Sequence, residues 1–173
     1  LAPWLSQLQI DRQGWLDTLA ANALGKEPLH PMDVYTSLEN IIDDDTFIIM
    51  DGGDYVQWGR SFMKAHKPGR FIRLGPLSHL GAGLPYGMAA KLAHPESKVL
   101  VFTGDGAFGF YPMEFDTCIR HNLPITVVMG NDSTWGIDKT FQMAYFDRAI
   151  GTDLRSVRYD KVVEAIGGHS EYV

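Results

Sequence analysis

Two aspartates, Asp105 and Asp132, each follow a short apolar run, and their positions could bring both carboxylates to one metal ion. The first run, at 99–102, leads into a glycine turn around Asp105, and the second, at 125–129, ends just before Asp132. The residues between the runs are helix-like, so we predict a strand–helix–strand unit. A right-handed crossover brings the ends of two parallel strands to the same edge of a sheet. Both carboxylates can therefore reach one point beside a helix N-terminus.

The turn at Gly104, Asp105 and Gly106 could also bind a phosphate group. Gly106 has no side chain, so a phosphate can approach the backbone, and the amides of Ala107 and Phe108 would face it. A carboxylate repels a phosphate unless a cation lies between them, and Mg2+ prefers oxygen ligands. These residues therefore predict a metal-bridged diphosphate site.

The stretch GDGAFGFYPMEFDTCIRHNLP, followed by GNDSTWG, resembles the diphosphate-binding motif of thiamine-diphosphate-dependent enzymes. These residues are similar to those of the enzyme group that includes acetolactate synthase, benzaldehyde lyase and 2-hydroxyacyl-CoA lyase. The resemblance implies thiamine diphosphate and Mg2+ as cofactors, with Asp105, Asp132 and the main-chain carbonyl of Thr134 as metal ligands. The family usually has a second Asn where this chain has Asp132. The added negative charge is expected to make cofactor binding depend more steeply on the metal.

The resemblance also assigns a role to the glycine-rich loop at 75–87. This loop would hold the aminopyrimidine ring, with main-chain hydrogen bonds from Ser78 and Leu80. Leu80 would force the cofactor into its bent form, and His79 would lie near the reacting carbon. His79 and Leu80 are thus the predicted catalytic positions, although the sequence alone favours core packing for Leu80.

Two further segments would contact the cofactor in the resembling family. The loop after the strand at 46–50 offers Asp54 and Tyr55 to the diphosphate, although this loop could be a simple turn before a helix. Residues 133–146 read as a mobile segment that closes over the cofactor and forms part of the substrate pocket. The pocket candidates in that segment are Trp135, Gly136, Ile137 and Gln142.

The order of apolar segments predicts a doubly wound α/β fold with a mostly parallel sheet and helices on both faces. We expect residues 1–30 to form an interdomain linker with a leading helix. Residues 31–173 would form the diphosphate-binding domain, as part of a larger enzyme. The predicted strands lie at 46–50, 70–74, 99–102 and 125–129, and the predicted helices at 31–42, 56–65, 84–93 and 159–166.

The amino-acid composition of the chain limits its possible binding partners and its cellular compartment. The 173 residues carry a net charge of −6 with no basic run, which argues against nucleic acid or a membrane surface. No apolar run is long enough to span a bilayer. The single cysteine, Cys118, excludes an internal disulfide and favours a reducing, cytoplasmic location. No neighbouring group in sequence would lower its pKa, so we interpret it as a core residue.

Two other classes of protein use similar features. Gly104, Gly106 and Gly109 spell G-x-G-x-x-G after a strand, and Asp132 follows the next strand, as in a Rossmann-type dinucleotide-binding oxidoreductase. Against this, Asp105 would oppose the pyrophosphate and Phe108 is bulky where the backbone should stay open. The chain could also be a non-catalytic subunit of the same fold.

The resemblance implies an enzyme that makes or breaks a carbon–carbon bond next to a carbonyl. An acetolactate synthase-like decarboxylation or carboligation of a 2-oxo acid or aldehyde is the main prediction, with a 2-hydroxyacyl-CoA lyase or benzaldehyde lyase-like activity as the alternative. In this family an activating Glu comes from a pyrimidine-binding domain of the full-length protein or of a neighbouring subunit. We therefore expect a homodimer or homotetramer, and an incomplete active site in this chain alone.

Overall fold

A sheet of four parallel strands forms the centre of the computed structural model, which describes residues 1–173. The strands lie in the order β2-β1-β3-β4. Their bounds are β1 Phe47–Met50, β2 Phe71–Arg73, β3 Val99–Gly104 and β4 Thr126–Gly130. The two central strands are buried along their whole length, which explains why their sequences are apolar without alternation. The predicted α/β fold with a parallel sheet is confirmed.

Eight α-helices and one short 3-10 helix connect and flank the strands. The helices are α1 Ala2–Ala20, α2 Pro31–Leu38, α3 Asp54–Phe62, α4 Gly83–Ala93, α5 Asp105–Phe108, α6 Glu114–Arg120, α7 Gly136–Phe146 and α8 Tyr159–Ile166, with the 3-10 helix at Glu39–Ile41. None of them is long and apolar enough to cross a membrane.

The core has two parts because alternate strand residues point to opposite faces of the sheet. On one face, Ile48, Met50, Leu100 and Phe102 pack against helices α1, α2 and α3. On the other face, α4 covers the sheet, α6 contacts α4, and α8 contacts α6. The buried residues of this second face are Phe47, Ile49, Ala90, Val99 and Val101. The sheet therefore has helices on both sides, and its strand ends remain free to form a site.

Most of residues 133–146, for which the sequence predicts a mobile segment, form helix α7. The aromatic side chains Phe141, Tyr145 and Phe146 of this helix are largely exposed. The helix thus has no apolar stripe against the core, and this explains why its sequence lacks a clear helical period. The leading helix α1 takes up most of the segment predicted as a linker and continues through Gly14.

Candidate functional site

The carboxyl ends of β1 and β3 meet through backbone atoms alone. The Gly104 amide donates a hydrogen bond of 3.0 Å to the Gly52 carbonyl. Gly53 has a φ of 110°, and a Cβ added to it would lie 3.3 Å from the Gly104 Cα. Side chains at these positions would separate the strand ends. The glycines therefore form a floor made only of main chain.

An open cleft of about 130 Å3 lies above this floor. It is formed where β1, β3 and β4 end, which is where open α/β sheets bind ligands. Its lining residues are Gly53, Asp54, Tyr55, Leu80, Gly104, Asp105, Gly106, Ala107, Gly130, Asp132, Thr134, Trp135, Gly136, Ile137 and Asp138.

Asp105 is the most unusual group in the cleft, because it is only 3% exposed. Its Oδ1 accepts a hydrogen bond of 2.9 Å from the Gly106 amide, whereas its Oδ2 is buried without a partner. Burial raises the pKa of Asp105, and the negative charge of Asp132 raises it further. An unpaired buried carboxylate oxygen costs free energy unless a proton or a cation neutralises it. The position is therefore suited to a cation.

Asp132 approaches the same region from the end of β4. Its Oδ1 accepts a hydrogen bond of 3.2 Å from the Thr134 amide. Partial burial raises the pKa of Asp132, and the charge of Asp54 adds to this effect. A Cβ added to Gly136 would lie 3.6 Å from Asp132 Oδ2 and 3.1 Å from the Asp54 Cβ. Asp54 and Asp132 thus lie close to Gly136 on one side of the cleft, and the charge of Asp132 in turn raises the pKa of Asp105.

The turn that carries Asp132 is held in place by the segment around Thr152. The Thr134 hydroxyl donates to the Thr152 carbonyl at 2.9 Å, and the Trp135 amide donates to the same oxygen at 2.8 Å. The Leu154 amide donates to the Ser133 carbonyl at 2.7 Å. These bonds fix the main chain at Thr134, which a metal ligand through its carbonyl would require.

Trp135 lies directly against the glycine turn. A Cβ added to Gly106 would lie 2.6 Å from the Trp135 ring, so any side chain at 106 would displace the indole. The Tyr55 ring packs in a similar way against Gly130, where an added Cβ would lie 2.5 Å from the ring. The Tyr55 hydroxyl is buried and without a partner, and burial raises its pKa. Tyr55 therefore offers the cleft its ring rather than a charge.

The chain matches the protein family described as thiamine pyrophosphate enzyme, C-terminal TPP binding domain, over residues 51–173. Thiamine pyrophosphate is the same compound as thiamine diphosphate. The chain belongs to this family. The match includes the glycines at 104, 106 and 109. These glycines therefore belong to the TPP-binding motif rather than to a dinucleotide-binding one.

The curated relatives of this TPP-binding domain include enzymes of two kinds. The chain is 39% identical over 176 residues to the probable acetolactate synthase of Mycobacterium bovis, which covers 94% of this chain and 32% of that protein. It is 31% identical over 139 residues to the 2-hydroxyacyl-CoA lyase 2 of Homo sapiens, which covers 80% of this chain and 22% of that protein. The chain thus spans about a third or less of the length of these relatives.

Leu80 is the part of the predicted ring-binding loop of the TPP-binding domain that reaches the cleft. Its side chain lies over Gly52, where an added Cβ would be 1.8 Å from Leu80 Cδ2. Ser78 and His79 do not line the cleft, and both are exposed. His79 Nε2 lies 3.0 Å from the Tyr111 hydroxyl, so the ring is held against the neighbouring loop.

Four residues in or near the cleft differ from the sequence-based expectation. Gly53, Gly130 and Asp138 line the cleft but were not among the predicted site residues. Asp138 lies in the first turn of α7. A sequence-based prediction of this helix would have pointed to Asp138 as a residue of the cleft. Phe108 is buried against Phe115 and Tyr159 and faces a separate small cavity. Only its main chain could therefore take part in phosphate binding.

The residues of the cleft fit a bridging cation rather than a closed metal site. No group of three or more His, Cys, Asp or Glu side chains is arranged to hold a metal ion. Two carboxylates and one carbonyl would leave coordination positions for water and for oxygens of a ligand. This is how Mg2+ is usually held next to phosphates.

Replacing Gly52 with alanine is expected to weaken binding of thiamine diphosphate by roughly tenfold, because the new methyl group would push Leu80 into the cleft. The fold should survive, since Leu80 is a flexible side chain at the cleft wall. Titration calorimetry measures the effect. Gly14→Ala is the matched control, because Gly14 lies on helix α1, away from the cleft lining, and an added Cβ there would meet nothing within 4 Å. Equal affinities of the two variants would contradict the placement of Leu80.

Cys118 is expected to react slowly with iodoacetamide. The residue is 5% exposed, and burial raises the pKa of its thiol to about 11. At pH 8 roughly a quarter of free thiols are ionised, against about 0.1% at that pKa. We expect alkylation to be at least about 100-fold slower than for free cysteine at pH 8, and to accelerate towards pH 11. A rate within tenfold of free cysteine would show that the thiol is accessible.

Proposed function

We propose that this chain holds the diphosphate of thiamine diphosphate through a Mg2+ ion bound by Asp105, Asp132 and the main-chain carbonyl of Thr134. The observation that carries the proposal is the buried, unpartnered Asp105 Oδ2 in a cleft that Asp132 shares. Both carboxylates have raised pKa values, so a divalent cation would relieve their mutual repulsion. The amides of Ala107 and Phe108 in α5 would face the phosphate oxygens, and Gly104 would let them approach, whereas the Gly106 amide already donates to Asp105.

We propose further that the full protein makes or breaks a carbon–carbon bond next to a carbonyl. When bound, thiamine diphosphate supplies a nucleophilic carbon that adds to a carbonyl and then stabilises the resulting carbanion. This chain would orient the cofactor through Leu80, Asp54 and Tyr55, and shield it from water with Trp135 and Gly136. His79 would lie on the side of the reacting carbon.

An acetolactate synthase-like reaction of a 2-oxo acid or aldehyde is the function we favour. The identity of 39% to an acetolactate synthase, over 94% of this chain, supports it. A 2-hydroxyacyl-CoA lyase activity is the second candidate, supported by relatives at 31% identity. Both reactions use the same diphosphate site, so the site geometry serves either.

Exposed apolar side chains on several segments support a further domain as the partner of this chain. Leu77 is 95% exposed and Met113 is 64% exposed, and α7 presents three exposed aromatic rings. Extensive exposed apolar surface often marks an interaction surface. We propose that it packs against a pyrimidine-binding domain of the full-length protein or of a neighbouring subunit, in a homodimer or homotetramer. The active site would then be incomplete in this chain alone. The single cysteine agrees with a cytoplasmic location.

Calorimetric titration with thiamine diphosphate, in Mg2+ and in EDTA, tests the proposed site. We expect saturable binding in Mg2+ and a loss of at least about tenfold in affinity when the chelator removes the ion. NAD+ serves as the comparison ligand and is expected to give no binding with or without the metal. Equal affinity for thiamine diphosphate in EDTA, or tight metal-independent binding of NAD+, would contradict the proposal.

A further inference from the structure

Helix α4 has no cap of its own at its N-terminus. Its N-cap residue is Ala82, which has no side-chain oxygen to accept a hydrogen bond. The first amides of a helix lack partners within the helix and need acceptors from elsewhere. This helix follows directly on the loop that carries Ser78 and Leu80, so whatever satisfies its amides also fixes that loop.

Asp51, at the end of β1, supplies the missing acceptor. Its Oδ1 accepts from the Gly81 amide at 2.9 Å, and its Oδ2 accepts from the Gly83 amide at 3.0 Å. The side chain is 5% exposed, and a negative charge is favourable at a helix N-terminus. A Cβ added to Gly83 would lie 2.7 Å from Asp51 Oδ2, so glycine is needed for this contact.

The contact ties the ring-binding loop to the floor of the cleft. The next residue after Asp51 is Gly52, on which the Leu80 side chain rests. The Asp51 amide donates to the Phe102 carbonyl at 2.9 Å, so the carboxylate is fixed to the two central strands. The position of the Leu80 side chain in the cleft therefore depends on the Asp51 carboxylate, which is buried and does not itself line the cleft.

We propose that Asp51 is a positioning residue for the ring-binding loop: it caps helix α4 from strand β1 and thereby places Leu80 against the non-phosphate part of the cofactor. This inference rests on the proposed function. It also separates two parts of the cofactor, because the diphosphate would be held by Asp105 and Asp132 and not by the ring-binding loop. Loss of the cap should therefore weaken binding of the whole cofactor but not of its diphosphate alone.

The test compares two ligands, thiamine diphosphate and inorganic diphosphate, each titrated into the chain at saturating Mg2+. In Asp51→Asn one acceptor oxygen is replaced by an NH2 group that would face an amide N–H. We expect the affinity for thiamine diphosphate to fall about tenfold and the affinity for inorganic diphosphate to change less than about twofold. A general loss of structure would lower both affinities together, so the ratio of the two reports positioning.

Two further variants complete the test. Ile49→Val alters the same buried strand without touching the loop and should leave both affinities within about twofold of the parent chain. Gly83→Ala keeps the carboxylate but displaces it, and should give the same selective loss as Asp51→Asn; it carries the test if Asp51→Asn does not fold. Equal loss of both ligands, or no loss, in the folded variants overturns the positioning role. Failure of the parent chain to bind thiamine diphosphate would instead contradict the proposed function on which this inference rests.

Discussion

Asp105→Ala is expected to abolish magnesium-dependent binding of thiamine diphosphate while the fold stays intact. The substitution removes one of two carboxylates proposed to hold the ion, and the loss should exceed about tenfold, or about 1.4 kcal/mol. The free chain should not lose stability, because the wild-type carboxylate is 3% exposed with an unpartnered oxygen. Removing a buried charge of this kind relieves a desolvation cost. Calorimetry measures the binding, and thermal unfolding without ligand measures the stability.

Asp138→Ala is the matched control for this prediction. Asp138 lines the same cleft but is not among the proposed metal ligands. Its replacement should change the affinity by less than about threefold, since only a general electrostatic effect is lost. If Asp105→Ala costs less than tenfold, or if both variants lose affinity equally, the assignment of Asp105 as a metal ligand is wrong.

Gly59→Ala is expected to destabilise the chain by up to about 2 kcal/mol, although alanine is the better helix former. An added Cβ would lie 2.4 Å from the Tyr35 ring. That ring is fully buried, stacks on Tyr55 at 5.1 Å and donates its hydroxyl to the Tyr55 carbonyl at 3.2 Å, so it cannot move aside. Overpacking of this kind costs about 1–3 kcal/mol, against a gain of about 1 kcal/mol in helix propensity.

The same substitution at Gly14 should have the opposite sign. Gly14 lies inside helix α1, and an added Cβ would meet nothing within 4 Å. Gly14→Ala should therefore raise the free energy of unfolding by up to about 1 kcal/mol. Urea unfolding of both variants gives the comparison. Equal effects at the two positions would mean that the packing of Tyr35 on α3 is looser than the structure shows.

The sequence best predicts those site residues that come directly after a strand. Asp105 and Asp132 come directly after apolar runs, and the parallel-strand rule is enough to place them at one edge of the sheet. The resemblance then assigns the cofactor, which the family match confirms as thiamine diphosphate.

What the sequence does not determine is the direction of side chains on the loops. Ser78 and His79 share a loop with Leu80, yet only Leu80 reaches the cleft, because the turn there has a positive φ at Ser78 and Gly81. The role of Asp51 cannot be recognised from the sequence either. Asp51 caps helix α4 by accepting from amides about thirty residues later in the chain, and no local sequence pattern relates the two segments. The sequence does not predict helix α7, because its aromatic residues are exposed and do not form a helical repeat of buried apolar positions.

The packing of Trp135 against Gly106 gives this protein a built-in optical reporter. Of the four tryptophans, only Trp135 lines the cleft, while Trp4 and Trp15 lie on α1 and Trp58 contacts His30. Replacing those three by phenylalanine would leave a single emitter beside the glycine turn. Occupancy of the cleft could then be followed by fluorescence, without any label, in real time and at low protein concentration.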